Sequence, residues 1–196
     1  PILISKLDLD SAYRRLHVRL KHALLCTSII GSVCYILFRL PFGSAGAPGL
    51  FSLFSEFVAD ISQALYDDET WNPEDLFSEM ASEIGLGKFS DSPFAVAREL
   101  SITIKTTLVS IDVYIDDLIV VLLFSPSRYQ RIKNVIPLIL DCLIRPLTTM
   151  EQVKRSSILQ QTKLIAEGWF EESKVVLGWL INTRALRIFF PRMKAM

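Results

Sequence analysis

The segment "IDVYIDDLIVV", residues 111–121, sets Asp116 and Asp117 side by side inside a run of β-branched and leucine residues. An ionised carboxylate taken out of water is costly unless something compensates it, and two adjacent ones also repel each other. The chain must place the pair at a solvated turn, or hold it there with a cation. Apolar strand-like residues on both sides predict a β-hairpin with the acids at its turn.

The rest of the chain can supply a core for such a hairpin. Its 196 residues are 51% apolar with only 8 glycines and 9 prolines, which argues for one folded domain and against disorder. It opens on Pro1 without an initiator Met or the layout of a signal peptide, so it reads as a piece of something longer. The three cysteines, Cys26, Cys34 and Cys142, lack CxxC spacing and sit among apolar residues. Buried free thiols and a reducing compartment are expected from them. The uncharged run Ala23–Phe38 is shorter than the roughly 20 residues of a spanning helix. With Gly31-Ser32 at its middle it predicts two strands and a tight turn, and no membrane partner is expected.

Zero net charge conceals a strong asymmetry. Residues 1–40 carry 6 basic and 2 acidic side chains, residues 41–124 carry 3 and 14, and residues 125–196 carry 12 and 5. Two basic flanks around an acidic middle suit a phosphate backbone lying on either side of a metal-binding centre, although solvated faces with chance clustering would look similar.

Local patterns order the elements. "ILISKLDLD" predicts a strand that ends near Asp8, and "SAYRRLHV" a short helical turn. A loop rich in Gly, Ala and Pro then enters a helix with apolar positions Leu50, Phe51, Phe54, Phe57, Val58, Ile61 and Leu65, and Pro48 lies in its first turn. Residues 66–92 hold eight acids against one lysine, which predicts a surface insertion with at most a short helix. After the Asp116-Asp117 hairpin, Ser127 is expected to cap a helix over Tyr129–Leu143 that Pro137 should kink or split. "KVVLGWLINTRALRIFF" predicts two strands with "NTRA" as their turn. The resulting class is α+β, an antiparallel sheet covered by helices on one face.

Asp8 at a strand end and Asp116 and Asp117 at a hairpin turn are carboxylates from separate segments that such a sheet could gather. Hard oxygen ligands of this kind suit Mg²⁺, which keeps part of its water shell and takes other ligands from substrate phosphates. Two such ions support in-line phosphoryl transfer and would offset both the repulsion and the desolvation of the acid pair.

Four segments, "KLDLDSAY" (6–13), "LPFGSAGAPGLF" (40–51), "VYIDDL" (113–118) and "VVLGWLI" (175–181), resemble in order the palm motifs of reverse transcriptases of the retrotransposon type. The resemblance covers nearly the whole chain from residue 4 onward, apart from an acidic insertion at about 66–108. It implies a partial polymerase palm whose fingers, thumb and RNase H portions lie elsewhere in a polyprotein. It implies RNA-directed DNA polymerase activity on an RNA or DNA template with primer and dNTPs, using two Mg²⁺ ions or Mn²⁺. Asp8, Asp116 and Asp117 match the catalytic metal ligands, with Asp117 the weaker one, and the Leu9 carbonyl assists.

Tyr13 matches the residue that lies under the incoming sugar and rejects a 2′-hydroxyl. Phe42, Gly43 and Tyr114 match nucleotide- and template-contacting positions, and Gly178 and Trp179 the hairpin that grips the primer. Either Lys163 or Lys174 stands where a general acid toward pyrophosphate is expected, Lys163 being slightly favoured. Asp10 and Ser11 fall outside the catalytic set, and Asp112 reads as a surface or sheet-edge residue. A non-catalytic palm that binds nucleic acid is the alternative reading of the same motifs.

Overall fold

In the computed structural model the described residues are 1–76, 78–90, 108–144 and 158–190. The central sheet has three antiparallel strands in the order β1-β5-β4: β1 is Ile2–Asp8, β4 is Val109–Tyr114 and β5 is Asp117–Leu123. Alternation explains its two faces. Leu118, Val120 and Leu122 of β5 point inward with Leu3 and Leu7 of β1 and Val109 and Ile111 of β4, and all are buried. On the opposite face the register sets Asp8, Asp117 and Tyr114 in one row across the three strands, and Lys6, Ile119 and Asp112 in the next. β4 is an edge strand and Asp112 on it is exposed, its carboxylate accepting from the Val113 N–H.

Two long helices cover the inward face. α3 (Ala47–Asp67) buries Phe51, Ser55, Val58, Ala59 and Ser62, and Pro48 lies in its first turn as expected. α4 (Pro126–Leu143) buries Ile132, Val135, Ile136, Ile139 and Leu140 against the same core. Its cap is Ser125, whose Oγ accepts from the Arg128 N–H, so Ser127 is displaced from the predicted role. α4 also runs unbroken through Pro137. A proline costs a helix interior about 3 kcal/mol, but Ile136, Leu138, Ile139 and Leu140 beside it are buried, at about 1.5–3 kcal/mol each. Packing holds the helix together across the expected break.

Between β1 and α3 lie α1 (Ala12–Arg15), α2 (Leu20–Ala23) and the hairpin of β2 (Thr27–Ile30) with β3 (Val33–Ile36), which turns at Gly31-Ser32 as its sequence predicts. Every residue of that hairpin is exposed. The expectation of buried thiols fails: Cys34 is on the exposed hairpin, Cys142 is exposed on α4, and Cys26 is only half-buried.

The described part of the acidic segment contains a 3₁₀ turn, Glu79–Glu83, that tucks Ala81 and Ile84 into the protein instead of remaining wholly on the surface. Phe77 and residues 91–107 of the proposed insertion lie outside the described residues. At the C-terminal side, α5 (Gln161–Glu167) leads to a second antiparallel sheet of β6 (Ser173–Val176), β7 (Trp179–Asn182) and β8 (Arg187–Phe189). There are three strands where two were expected, because Leu177 and Gly178 both have positive φ and make a two-residue turn. Among the described residues no helix is long and apolar enough to cross a membrane.

Candidate functional site

The β4–β5 turn brings the acids to the sheet edge. Tyr114 pairs with Asp117, so Ile115 and Asp116 are the two loop residues. Ile115 adopts a φ of 58°, a left-handed conformation that costs a β-branched residue about 1–3 kcal/mol. The turn is tied back to the extension of β1 by the Leu9 N–H, which donates to the Asp116 carbonyl at 3.4 Å.

Asp8 and Asp116 line one pocket of about 390 Å³ together with Leu9, Tyr13, Phe42 and Gln160. Tyr13, on α1, is buried and packs against Phe51 at 5.1 Å and edge-on against Phe42 at 5.7 Å. Burial raises the Tyr13 hydroxyl pKa, and the Asp116 charge adds to the rise. Phe42 is 81% exposed, so its ring forms the outer lip. Gly43 has a φ of +87°, a conformation that favours glycine, and nothing within 4 Å would meet a side chain there. Its glycine answers to backbone shape and not to close contact.

The two lysines with a possible general-acid role separate cleanly in space. Lys163 Nζ on α5 lies 2.9 Å from Asp8 Oδ1, and this hydrogen bond holds its pKa above the usual lysine value. Lys174 on β6 is 4% exposed, and its ammonium donates to the carbonyls of Glu167 and Trp169, both at 2.7 Å. Burial depresses its pKa, and its position closes the C-terminal end of α5.

Asp117 stands directly across from Asp8 in the β1–β5 register and also pairs with Lys6, whose Nζ lies 3.2 Å from Oδ1. Burial raises the Asp117 pKa; the hydrogen bond from Lys6 opposes this and the neighbouring Asp8 adds to it. Asp8 and Asp117 are thus direct neighbours, but only Asp8 and Asp116 line the pocket. Asp8 and Asp116 offer hard oxygens on a common pocket, a donor set that fits a divalent cation completed by water and phosphate oxygens. Among the described residues no three Asp, Glu, His or Cys side chains are grouped as a ready-made chelate.

Tyr114 is exposed on the outer face of β4. Gly178 is in the β6–β7 turn and Trp179 begins β7, where its ring packs on Phe190 at 4.0 Å, and neither lines the Asp8 pocket. Asp10 and Ser11 do line it, although Asp10 is paired with Arg15 at 3.3 Å. Sequence reasoning missed Lys6. Its signal was alternation: it lies two residues before Asp8 and therefore on the same strand face.

No family model and no curated protein matches the sequence. Among solved structures, the chain is similar to that of a foamy viral protease-reverse transcriptase in complex with dsDNA, at a TM-score of 0.54 and 13% identity. The match covers 97% of this chain and 26% of that one, so this chain spans about a quarter of that protein's length. At such identity the likeness speaks to architecture. The α+β arrangement of antiparallel sheets and covering helices is a reverse-transcriptase-like fold.

Proposed function

We propose that this chain is part of an RNA-directed DNA polymerase palm of the retrotransposon type, adding dNTPs to a primer on an RNA or DNA template. The observation that carries the reading is the convergence of Asp8, Asp116, Tyr13 and Phe42 on one pocket in a reverse-transcriptase-like fold. Asp8 and Asp116 would hold Mg²⁺ or Mn²⁺, with Asp117 as a further, weaker acid beside them. When bound, two such ions activate the attacking hydroxyl and neutralise charge on the triphosphate.

The chain's own groups do the rest. Tyr13, clamped between Phe42 and Phe51, presents a rigid ring to the sugar. Lys163 keeps its proton on Nζ at neutral pH, which suits a donor toward leaving pyrophosphate, and its ion pair with Asp8 must open for Asp8 to take a cation. Phe42, Gly43, Tyr114 and the Leu9 backbone would contact nucleotide or template, and the β6–β7 turn at Gly178 and Trp179 would hold the primer strand. The dsDNA bound by the foamy viral protein supports a nucleic-acid partner here. Fingers, thumb and RNase H portions would come from the remainder of a longer polypeptide.

Primer extension by the full-length polypeptide with dNTPs and Mg²⁺ tests the reading. Asp116→Asn removes a carboxylate ligand worth several kcal/mol of charge stabilisation, so extension should fall by about 10³-fold. Undiminished extension would overturn it.

A further inference from the structure

Lys6 bridges the strand pair carrying the acids and the helix packed beside it. Its Nζ lies 3.2 Å from Asp117 Oδ1 and 3.0 Å from Glu167 Oε2, and its side chain is 13% exposed. Glu167 stands four residues after Lys163, on the same face of α5. Lys163 in turn reaches Asp8, two residues after Lys6 on the same face of β1. Four residues of helix rise about 6 Å and two residues of strand about 6.6 Å, so the two pairs are in step. The helix offers cation then anion where the strand offers anion and cation. Just beyond, the buried Ser5 Oγ donates to the Gly168 carbonyl at 2.6 Å and fixes the end of the helix.

Asp117 meets Asp8 directly across the strand pair, where like charges destabilise the sheet. Lys6 supplies the opposite charge and ties it to α5. We propose that Lys6 is a positioning residue that holds the Asp117 carboxylate on the helix side and thereby sets the divalent-cation affinity of the Asp8–Asp116 pocket. The inference rests on the polymerase reading in taking that pocket as a cation site. It adds that Asp117 is restrained by a lysine of the chain itself, so that Asp8 and Asp116 bind first.

Mn²⁺ titration of the chain, followed by electron paramagnetic resonance, provides a readout independent of polymerisation. Lys6→Met frees Asp117 and should tighten Mn²⁺ binding by about three- to tenfold, while Lys6→Arg should stay at the wild-type value. In an Asp117→Asn background the gain from Lys6→Met should shrink below about twofold, because Lys6 then has no carboxylate to restrain. No gain from Lys6→Met, or an equal gain with and without Asp117, overturns the proposal. Asp8→Asn and Asp116→Asn separate its failure from that of the polymerase reading. If neither weakens Mn²⁺ binding, the pocket is not the cation site and both fall; if they do and Lys6→Met has no effect, only the Lys6 role falls. Should Lys6→Met fail to fold by circular dichroism, Lys6→Gln carries the same comparison.

Discussion

Asp8 and Asp117 face each other across two strands, yet different lysines answer them: Lys163 from α5 for Asp8 and Lys6 from β1 for Asp117. That assignment separates the site into a pocket-facing pair, Asp8 and Asp116, and a restrained third acid. On the proposed polymerase reading Tyr13 would face the incoming sugar, and a buried ring held by two aromatic neighbours would not yield to a larger one. Tyr13→Val should raise the use of ribonucleotides relative to deoxynucleotides by about 10- to 100-fold in single-nucleotide extension, and Tyr13→Phe should leave the ratio unchanged. Asp8 and Asp116 stood out in the sequence because a strand ending in an acid and an adjacent acid pair are local signals, whereas Tyr13 stood out only through the resemblance of "KLDLDSAY" to a palm motif. The contrast between Lys163 and Lys174 was not legible there. It depends on which side of α5 meets β1 and which end meets β6, and only packing decides that.

Hairpins were the most legible elements, since turn residues and alternating apolar residues announce them at short range. The β2–β3 and β4–β5 turns fall where the sequence places them, whereas the Leu177-Gly178 turn divides what reads as one strand. Helix α4 shows why the ends and interiors of helices are harder: its cap lies two residues earlier than predicted and its proline is absorbed by the core. α4 also carries a connection that periodicity does not reveal. The Arg131 guanidinium donates to the carbonyls of Tyr66 at 2.6 Å, Leu65 at 3.1 Å, Trp71 at 2.5 Å and Asp68, and lies 4.9 Å from the Trp71 ring centre. One side chain thus closes the C-terminal end of α3 and fastens the following loop. Arg131→Ala should cost about 2–4 kcal/mol in urea unfolding, and Arg131→Lys should recover less than half, because an ammonium cannot reproduce the planar fork.

Among the described residues, the core lies between the β1-β5-β4 sheet and the two helices on its inner face, with Leu159, Leu164 and Phe170 added from the C-terminal side, while the β2–β3 hairpin is exposed. Leu122, fully buried on the central strand, should cost about 2–5 kcal/mol when changed to Ala. Ile29→Ser with Ile36→Ser on the exposed hairpin should stay within about 1 kcal/mol of wild type in the same urea titration. The amino-acid sequence by itself determined the α+β class, the order of the main elements and the placing of Asp8 at a strand end and Asp116 in a hairpin turn. Each of these follows from hydrophobic period and turn chemistry acting over a few residues. Tertiary structure decided the ion pairs Lys163–Asp8 and Lys6–Glu167, which join residues 155 and 161 positions apart, and left the hairpin with its Cys34 thiol exposed. No local pattern encodes such choices, because a charge selects its partner only after strand register and helix docking have brought the two within reach.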